Sequence, residues 1–462
     1  MPAKQYDIIV WGATGFTGKL VCQHLAAHAP TDLKWGAAGR RESALKAVTS
    51  KDFLGPLCRC PPLGIEVGDA TDEAAAVRIA KSARLVLATA GPFTFHSAAI
   101  LKACAENGTH YVDITGEAMP YVHASVHSHH ETAIKTGAKI VHCCGYDSVP
   151  SDLLTQMAID VLRDLGQMCD SATVGFDLLQ TAGTMSGGTL HTICAIMAHL
   201  QATPSDVPIA INAQCLCPDV PPPSALARLY SLATGGDAWH LPGCSAALNG
   251  QWHFMFGMAI SNTKIVRRSR ALLKDVPDAF VYREVMTCGR GLVGMVIALS
   301  ATFGFLFSGL LLLPPVRWLL TWLVPSGFGP SLSMQNHGKW RAEVVAEGSA
   351  GGRAWGEALA LRQDPGYKST AMMVAQTALS VLDVSRTEGA LAATTSSSGI
   401  AFSSSSPYAR TWRGGGVLTP ASACGAKLLA ERFEKHGLLL RAAAVPDAPS
   451  SYAPIVLLLA CW

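Results

Sequence analysis

The sequence predicts an α/β protein: an N-terminal doubly wound parallel sheet, then a mixed α+β domain interrupted by a strongly hydrophobic segment. Three observations predict it. Short, wholly apolar runs alternate with helix-like stretches from Tyr6 to Cys144; the alternation stops after Pro150; and no charged residue lies between Arg290 and Arg317. At 462 residues the chain is too long for one ordinary core, which favours two or three domains.

The apolar runs fall at 6–11, 33–38, 63–67, 84–90, 111–115 and 138–143, with helical patterns between most of them at 17–27, 98–106 and 121–136. Glycines and Asn107-Gly108 punctuate the joints. Strands that are apolar at every position must be covered on both faces, as parallel strands linked by helices are. Residues 1–150 therefore form the first domain. The second, 151–386, should open with a helix at 151–165 and hold strands near 172–179, 340–346 and 355–361. Residues 387–415, rich in Ser and Thr from 394 to 407, read as a disordered insertion. A C-terminal helix is expected within 416–440, at about 421–436, followed by a tail at 441–462 whose apolar end has no assignment.

Hydrophobic residues make up 49% of the chain and charged ones 15%, with a mean hydropathy of +0.27. That is greasy for a water-soluble enzyme and points to a lipid or partner surface. A net charge of +3, with no basic stripe or zinc finger, argues against nucleic acid. The 14 cysteines form no CxxC pair and read as free thiols in a reducing compartment. A strand pattern begins by Tyr6, where a secretory signal would stand, so secretion is not expected.

The first strand runs into Gly12-Ala13-Thr14-Gly15-Phe16-Thr17-Gly18. Between a strand and a helix, such glycines serve a tight turn (Gly12), close approach of a pyrophosphate (Gly15) and helix–strand packing (Gly18), while the helix N-terminus faces the phosphates. This is the fingerprint of a Rossmann dinucleotide site. Where NAD sites carry an acid for the ribose hydroxyls, this chain has Gly39-Arg40-Arg41. A guanidinium pairs with a 2′-phosphate, so NADP(H) is the expected cofactor; the competing role for these arginines is a solvated helix start. Asp69 closes the third strand, and Ala90-Gly91-Pro92 the fourth, where each either touches the cofactor or only turns the chain. Asp113, Gly116 and Glu117 end the fifth, on the same carboxyl edge.

With these residues in hand the chain resembles the saccharopine dehydrogenase-like oxidoreductases. Gly12 to Gly18, Ala90 to Phe93, Tyr111 to Glu117, Gly145 to Asp152, Ser186-Gly187-Gly188-Thr189, Asp364-Pro365-Gly366-Tyr367 and Gly416 to Ala421 carry the likeness, in order, across most of 5–440. The resemblance implies a Rossmann domain plus a substrate domain, with the C-terminal helix returning to the first. Bacterial members include trans-acting enoyl reductases that work with polyketide synthases in glycolipid biosynthesis. Eukaryotic members associate with lipid droplets, mitochondria and other membranes. Tyr146 stands where the family usually has Phe, so no catalytic role for its hydroxyl is inherited. The basic residues that would hold an amino-dicarboxylate have no counterpart.

The stretch 292–313 would rise about 33 Å as one helix, enough to cross a bilayer core. Pro314-Pro315 breaks it before a second apolar run containing Trp318 and Trp322. A double proline between apolar runs favours a hairpin at 291–325 that enters one leaflet and returns. A buried helix or a homodimer interface is the alternative. The cytoplasmic face of an intracellular membrane, a lipid droplet or a mitochondrion is the expected location.

For chemistry, Tyr146 and Ser148 follow the sixth strand, and Ser186 opens a helix that could offer N–H donors. Capping the helix that begins near Pro150 is the favoured role for Ser148 or Asp147. His123, His127, His129 and His130 cluster on a helix far from the cofactor edge and read as a solvated face, so no metal is expected. These readings lead to an NADP(H)-dependent oxidoreductase acting on a lipid-linked acyl substrate, with enoyl reduction favoured. A catalytically lapsed lipid-surface protein and a saccharopine-type amino-acid dehydrogenase are the alternatives.

Overall fold

The computed structural model describes residues 4–182, 187–220, 242–245, 248–307, 309–310, 313–324, 328–394 and 411–445. Its frame is two seven-stranded sheets. The strands are β1 (Tyr6–Trp11), β2 (Trp35–Gly39), β3 (Gly64–Val67), β4 (Ala83–Ala88), β5 (His110–Asp113), β6 (Lys139–Val141), β7 (Cys169–Asp177), β8 (Gly243–Ser245), β9 (Gln251–Met255), β10 (Val281–Thr287), β11 (Lys339–Gly348), β12 (Arg353–Leu361), β13 (Gly416–Leu418) and β14 (Leu438–Val445). The first sheet runs β13-β6-β5-β4-β1-β2-β3, parallel at every pairing. The second runs β14-β12-β11-β7-β10-β9-β8 and is mixed, with β7 and β10 its parallel pair.

Five of the six β1 residues are buried, as a central strand with helices on both faces requires. Small residues in β2 let neighbours close in: a Cβ on Gly36 would come within 2.7 Å of the Tyr6 ring. One continuous core joins Ile8 and Val10 of β1 to Leu153 and Leu154 of the helix Val149–Asp164, and on to Trp340 and Val344 of β11. Trp340 is wholly buried, with its indole N–H donated to Ser369 Oγ at 3.0 Å.

The C-terminal region departs from the expected single helix. Gly416–Leu418 is a strand that extends the first sheet beyond β6. Gly425, at φ +78°, divides the helical stretch into Pro420–Cys424 and Ala426–Glu434. Residues 438–445, expected partly as tail, form β14 against β12. The return is fastened by the buried Lys139 ammonium, which donates to Glu388 Oε1 (3.1 Å), Trp412 O (3.1 Å) and Gly414 O (2.9 Å). A buried cation left without such partners would cost several kcal/mol. The helix Thr370–Thr394 covers the first sheet and continues into the stretch expected to be disordered; the Ser-rich residues 395–410 lie outside the described residues, as do 446–462.

The apolar segment is described as two helices, with 308, 311 and 312 between them outside the described residues. One helix, Gly291–Phe307, spans about 25 Å. A second, Pro314–Leu323, starts with both prolines in its first turn, where the missing N–H costs nothing. No helix among the described residues is long and apolar enough to cross a membrane. Leu292, Val296, Leu299, Phe303 and Phe307 nevertheless fall at helical spacing on one exposed stripe, while Ala298 packs inward beside Phe254 and Cys288.

Candidate active site

The β1 turn is built by sterics. Gly12 sits at φ +86°, and a Cβ there would come within 2.8 Å of Ala90 N. A Cβ on Gly18 would lie 2.2 Å from Gly12 O and 2.9 Å from Ala13 Cα, so helix and turn touch with no room to spare. Gly15 differs: it is exposed, and its Cβ would meet only Gly12 O, at 3.2 Å. Thr89 Oγ1 donates to the carbonyls of Trp11 and Gly12 and pins the turn from β4. The helix Phe16–His28 begins at Gly15 with no side-chain cap and no acid in its first turn. The N–H groups of Phe16, Thr17 and Gly18 therefore point outward with the positive end of the helix, which fits a diphosphate.

Arg40 and Arg41 follow β2, both exposed, and neither makes an ion pair among the described residues. The nearby Glu42 is drawn to Lys46 at 2.7 Å. Asp69 serves the turn: its Oδ1 accepts from Thr71 N (2.9 Å) and Thr71 Oγ1 (2.8 Å), which together with the charge of Arg40 hold its carboxyl below the usual range. Thr14 lies beside Gly39, where the dinucleotide must pass from turn to arginines. Free guanidiniums, open N–H groups and an exposed Gly15 are what a 2′-phosphorylated dinucleotide requires.

At the other end of the edge, Ala90-Gly91-Pro92 makes a turn with a cis Gly91–Pro92 bond. Glu117, almost wholly buried, holds that turn in place by accepting from Phe93 N (2.6 Å), Thr94 N (3.0 Å) and Thr94 Oγ1 (2.6 Å). Asp113 is likewise occupied, bonded to Thr115 N, Cys143 N and His142 Nδ1, with His142 Nε2 at 2.8 Å from Ser125 Oγ. Both acids shape the edge and leave the cofactor to others. Gly116 meets the second domain, its carbonyl accepting from Ser261 Oγ at 3.0 Å.

Two of the expected chemical residues are buried and engaged by neighbouring side chains. Tyr146 is buried edge-on to Phe176 and Trp340, its N–H donated to Thr370 Oγ1, and burial pushes its phenol up. Ser148 occupies the cap position but its hydroxyl does not cap; it donates to Asn262 Oδ1 at 2.7 Å. Asn262 Nδ2 in turn reaches Asp147 O and Glu284 Oε1, and Glu284 Oε2 accepts from Tyr282 at 2.6 Å. This network engages the Ser148 hydroxyl inside the protein. Ser186 lies outside the described residues.

Burial raises Glu284 to about 7. A folded-state value above the unfolded one means that stability is greatest with the acid protonated, and is lost as pH rises from about 4 through about 7. Glu284→Gln should therefore flatten the alkaline fall in melting temperature, recovering up to about 3 kcal/mol by about pH 8. Thermal denaturation across that range checks it; a wild-type Tm that stays level would contradict it.

The histidine helix His123–Thr136 is less solvated than expected. His130 Nδ1 lies 2.9 Å from Val417 N and 3.0 Å from an Arg268 nitrogen, and His127 Nε2 lies 3.1 Å from Cys215 O, so these rings help seat β13 and the segment at 215. Among the described residues no three His, Cys, Asp or Glu side chains are grouped to hold a metal.

Sequence reasoning missed Tyr367 as a site residue. Its ring stands edge-on to Phe16 of the glycine turn, centroids 5.0 Å apart, and its hydroxyl is 3.2 Å from Thr189 Oγ1. Asp364 fixes the loop by accepting from Tyr367 N (2.8 Å) and Lys368 N (3.0 Å), and a Cβ on Gly338 would come within 2.5 Å of Asp364 Cα. The signal was present in Asp364-Pro365-Gly366-Tyr367, a capped turn ending in a phenol, but nothing local shows that it meets residue 16. From Thr189 the helix Gly187–Ala202 continues to Thr192, whose hydroxyl is 3.9 Å from the place a Gly91 Cβ would take. Phe16, Tyr367, Thr189, Thr192 and Gly91 thus lie in one row beside the glycine turn, and the space they flank is the candidate cleft.

Residues 8–141 match the family model described as the saccharopine dehydrogenase NADP binding domain. A relative from Mycobacterium tuberculosis (strain ATCC 25618 / H37Rv), named trans-acting enoyl reductase, is 32% identical over 439 residues, covering 92% of this chain and 95% of its own length. One of the same name from Mycobacterium ulcerans (strain Agy99) is 31% identical over 452 residues, 95% of this chain and 98% of its own. The solved apo saccharopine dehydrogenase (L-Glu forming) of Saccharomyces cerevisiae aligns over 95% of this chain and 100% of its own, at 13% identity and a TM-score of 0.49. The protein is an oxidoreductase that binds NADP(H). An open glycine turn inside the matched domain, together with near full-length similarity to these relatives, means that the chain belongs to the saccharopine dehydrogenase-like oxidoreductases, alongside the trans-acting enoyl reductases.

Proposed function

We propose that this protein reduces the α,β double bond of a lipid-linked enoyl substrate with NADPH, at a membrane or lipid-droplet surface facing the cytoplasm. Bound NADPH supplies a hydride for the β-carbon of the substrate. The chain's own task is to hold the enoyl group in the cleft, exclude water and deliver a proton.

The observation that carries this reading is the helix Gly187–Ala202. Its first turns border the cleft at Thr189 and Thr192, while further contacts tie it to the apolar helix Pro314–Leu323: His191 Nε2 lies 3.0 Å from Val324 O, and Gln201 Oε1 accepts from Arg317 at 2.7 Å. Gly329, just beyond that apolar helix, lies so close to Phe16 that a Cβ would come within 2.5 Å of its ring. The greasy surface and the dinucleotide turn are therefore neighbours, which suits a substrate whose reacting end is polar and whose remainder is hydrocarbon.

That surface is large. Phe303, Trp318 and Trp322 are each about two-thirds exposed or more (73%, 67% and 68%), and the two indoles stack at 6.5 Å. Exposed apolar area of this extent marks an interaction site. Arg290 and Arg317 border it, and no acid occurs from 291 to 342, which suits anionic headgroups. Replacing Trp318 and Trp322 together by Ser should lower partitioning onto anionic phospholipid vesicles about tenfold or more in a flotation assay. Unchanged flotation, or a wild type that stays off vesicles as a stable homodimer, would contradict the lipid assignment.

The reaction is tested by following NADPH absorbance with long-chain enoyl thioesters and identifying the product. Stoichiometric formation of saturated thioester is expected. NADPH that binds without being consumed would favour the catalytically lapsed alternative, and turnover of saccharopine would favour the amino-acid dehydrogenase.

A further inference from the structure

Hydride addition at the β-carbon leaves an enolate that needs a proton at the α-carbon, while the hydroxyls of Tyr146 and Ser148 are already bonded to Thr181 and Asn262. We propose that Tyr367 is the proton donor and Thr189 its relay to water, an assignment that rests on the enoyl-reductase reading.

Placement carries the argument. Tyr367 is the phenol, among the described tyrosines, that stands between the dinucleotide turn and the second domain. Tyr111 and Tyr121 bond each other inside the first domain, Tyr282 bonds Glu284, Tyr6 lies near Glu66, and Tyr146 packs on Trp340 with its hydroxyl bonded to Thr181. The Tyr367 ring is 5% exposed and held edge-on by Phe16, whose own backbone N–H belongs to the phosphate-binding turn. Its backbone is clamped by the Asp364 carboxylate, so the hydroxyl has few ways to swing. Thr189, whose Oγ1 lies at 3.2 Å in a part-buried contact, is an exposed residue of the helix that borders Gly91. A buried donor with a hydroxyl relay to solvent is the arrangement general acid catalysis asks for.

Hydride from a reduced nicotinamide dinucleotide forms a C–H bond at the β-carbon as the α,β π bond breaks, and the displaced electron pair rests on the thioester oxygen as an enolate. The enolate collapses to form a C–H bond at the α-carbon with the Tyr367 proton. The resulting phenolate takes a proton from the Thr189 hydroxyl, which is replenished by water. One hydride and one proton have been added, and the dinucleotide leaves oxidised.

Tyr367→Phe keeps the ring on Phe16 and removes the proton. Expected are NADPH affinity within about twofold of wild type by calorimetry, turnover lowered about a hundredfold or more, and loss of stereochemical control in D2O. Wild type places its α-deuteron on one face of the product; the variant's residual product carries it on both. Thr189→Val, which leaves the phenol in place, should lower turnover about tenfold and keep single-face deuteration, and it serves as the test should Tyr367→Phe fail to fold. Turnover of Tyr367→Phe within about threefold of wild type, single-face deuteration in that variant, or a loss of NADPH affinity matching its loss of rate would overturn the assignment. A wild type that binds NADPH yet reduces no enoyl thioester would overturn the enoyl reading itself, and the role of Tyr367 with it.

Discussion

Gly15→Val is expected to leave the apoprotein folded, with Tm nearly unchanged, and to weaken NADPH binding about a hundredfold or more. The contrast among the three glycines explains why. Gly12 and Gly18 are closed in by the fold: a Cβ would meet Ala90 N at 2.8 Å or Gly12 O at 2.2 Å, so substitution there forces backbone apart and costs about 1–3 kcal/mol or more before any ligand is present. At Gly15 the backbone is extended (φ −70°, ψ 170°), which any residue adopts, and a Cβ meets only one carbonyl at 3.2 Å. The space it would fill lies outside the protein, where a diphosphate approaches the helix N-terminus. Displacing that diphosphate forfeits charge-assisted N–H bonds worth about 1.5–3 kcal/mol each, hence two or more orders of magnitude in affinity. Calorimetry beside a thermal melt separates the two effects. A variant that unfolds, or one that binds NADPH normally, would contradict the assignment of this glycine.

Replacing Arg40 and Arg41 together by Ala should cost NADPH about a hundredfold in affinity and NADH little, so that the two bind alike. A bidentate guanidinium–phosphate pair is stronger than a neutral hydrogen bond, and NADH has no 2′-phosphate to lose. Each single variant tells which guanidinium does more. Asp69 bears on the outcome because its carboxylate already feels the charge of Arg40; with both arginines gone, that acid would face the extra phosphate and repel it. An NADPH to NADH preference that survives the double substitution would move the discrimination elsewhere in the chain.

The first domain was legible because its signals are local. β1 and the helix Ala98–Glu106 fall where their patterns end, and Gly12 to Gly18 occupy a strand–turn–helix whose chemistry needs no distant partner. The second sheet was legible only where apolar alternation is clean, at β7, β11 and β12. β10 was hidden by Arg283-Glu284, since a buried glutamate reads as a surface residue until Asn262 and Tyr282 are seen to satisfy it. β13 is three residues long, and its place is set by Lys139 gripping carbonyls more than 270 positions away. The candidate site divides the same way. The phosphate end follows from sequence, but the far end depends on Tyr367 meeting Phe16 and Thr189 across the fold, and on Tyr146 and Ser148 being drawn into other contacts. No periodicity or spacing reports those encounters.

A crystal structure of the complex with NADP+ measures the whole arrangement at once. The pyrophosphate should lie on the N–H groups that follow Gly15, the 2′-phosphate against Arg40 or Arg41, and the nicotinamide between Gly91 and the Tyr367 hydroxyl. A nicotinamide ring turned away from that cleft, or a 2′-phosphate left in solvent with both guanidiniums unengaged, would contradict it.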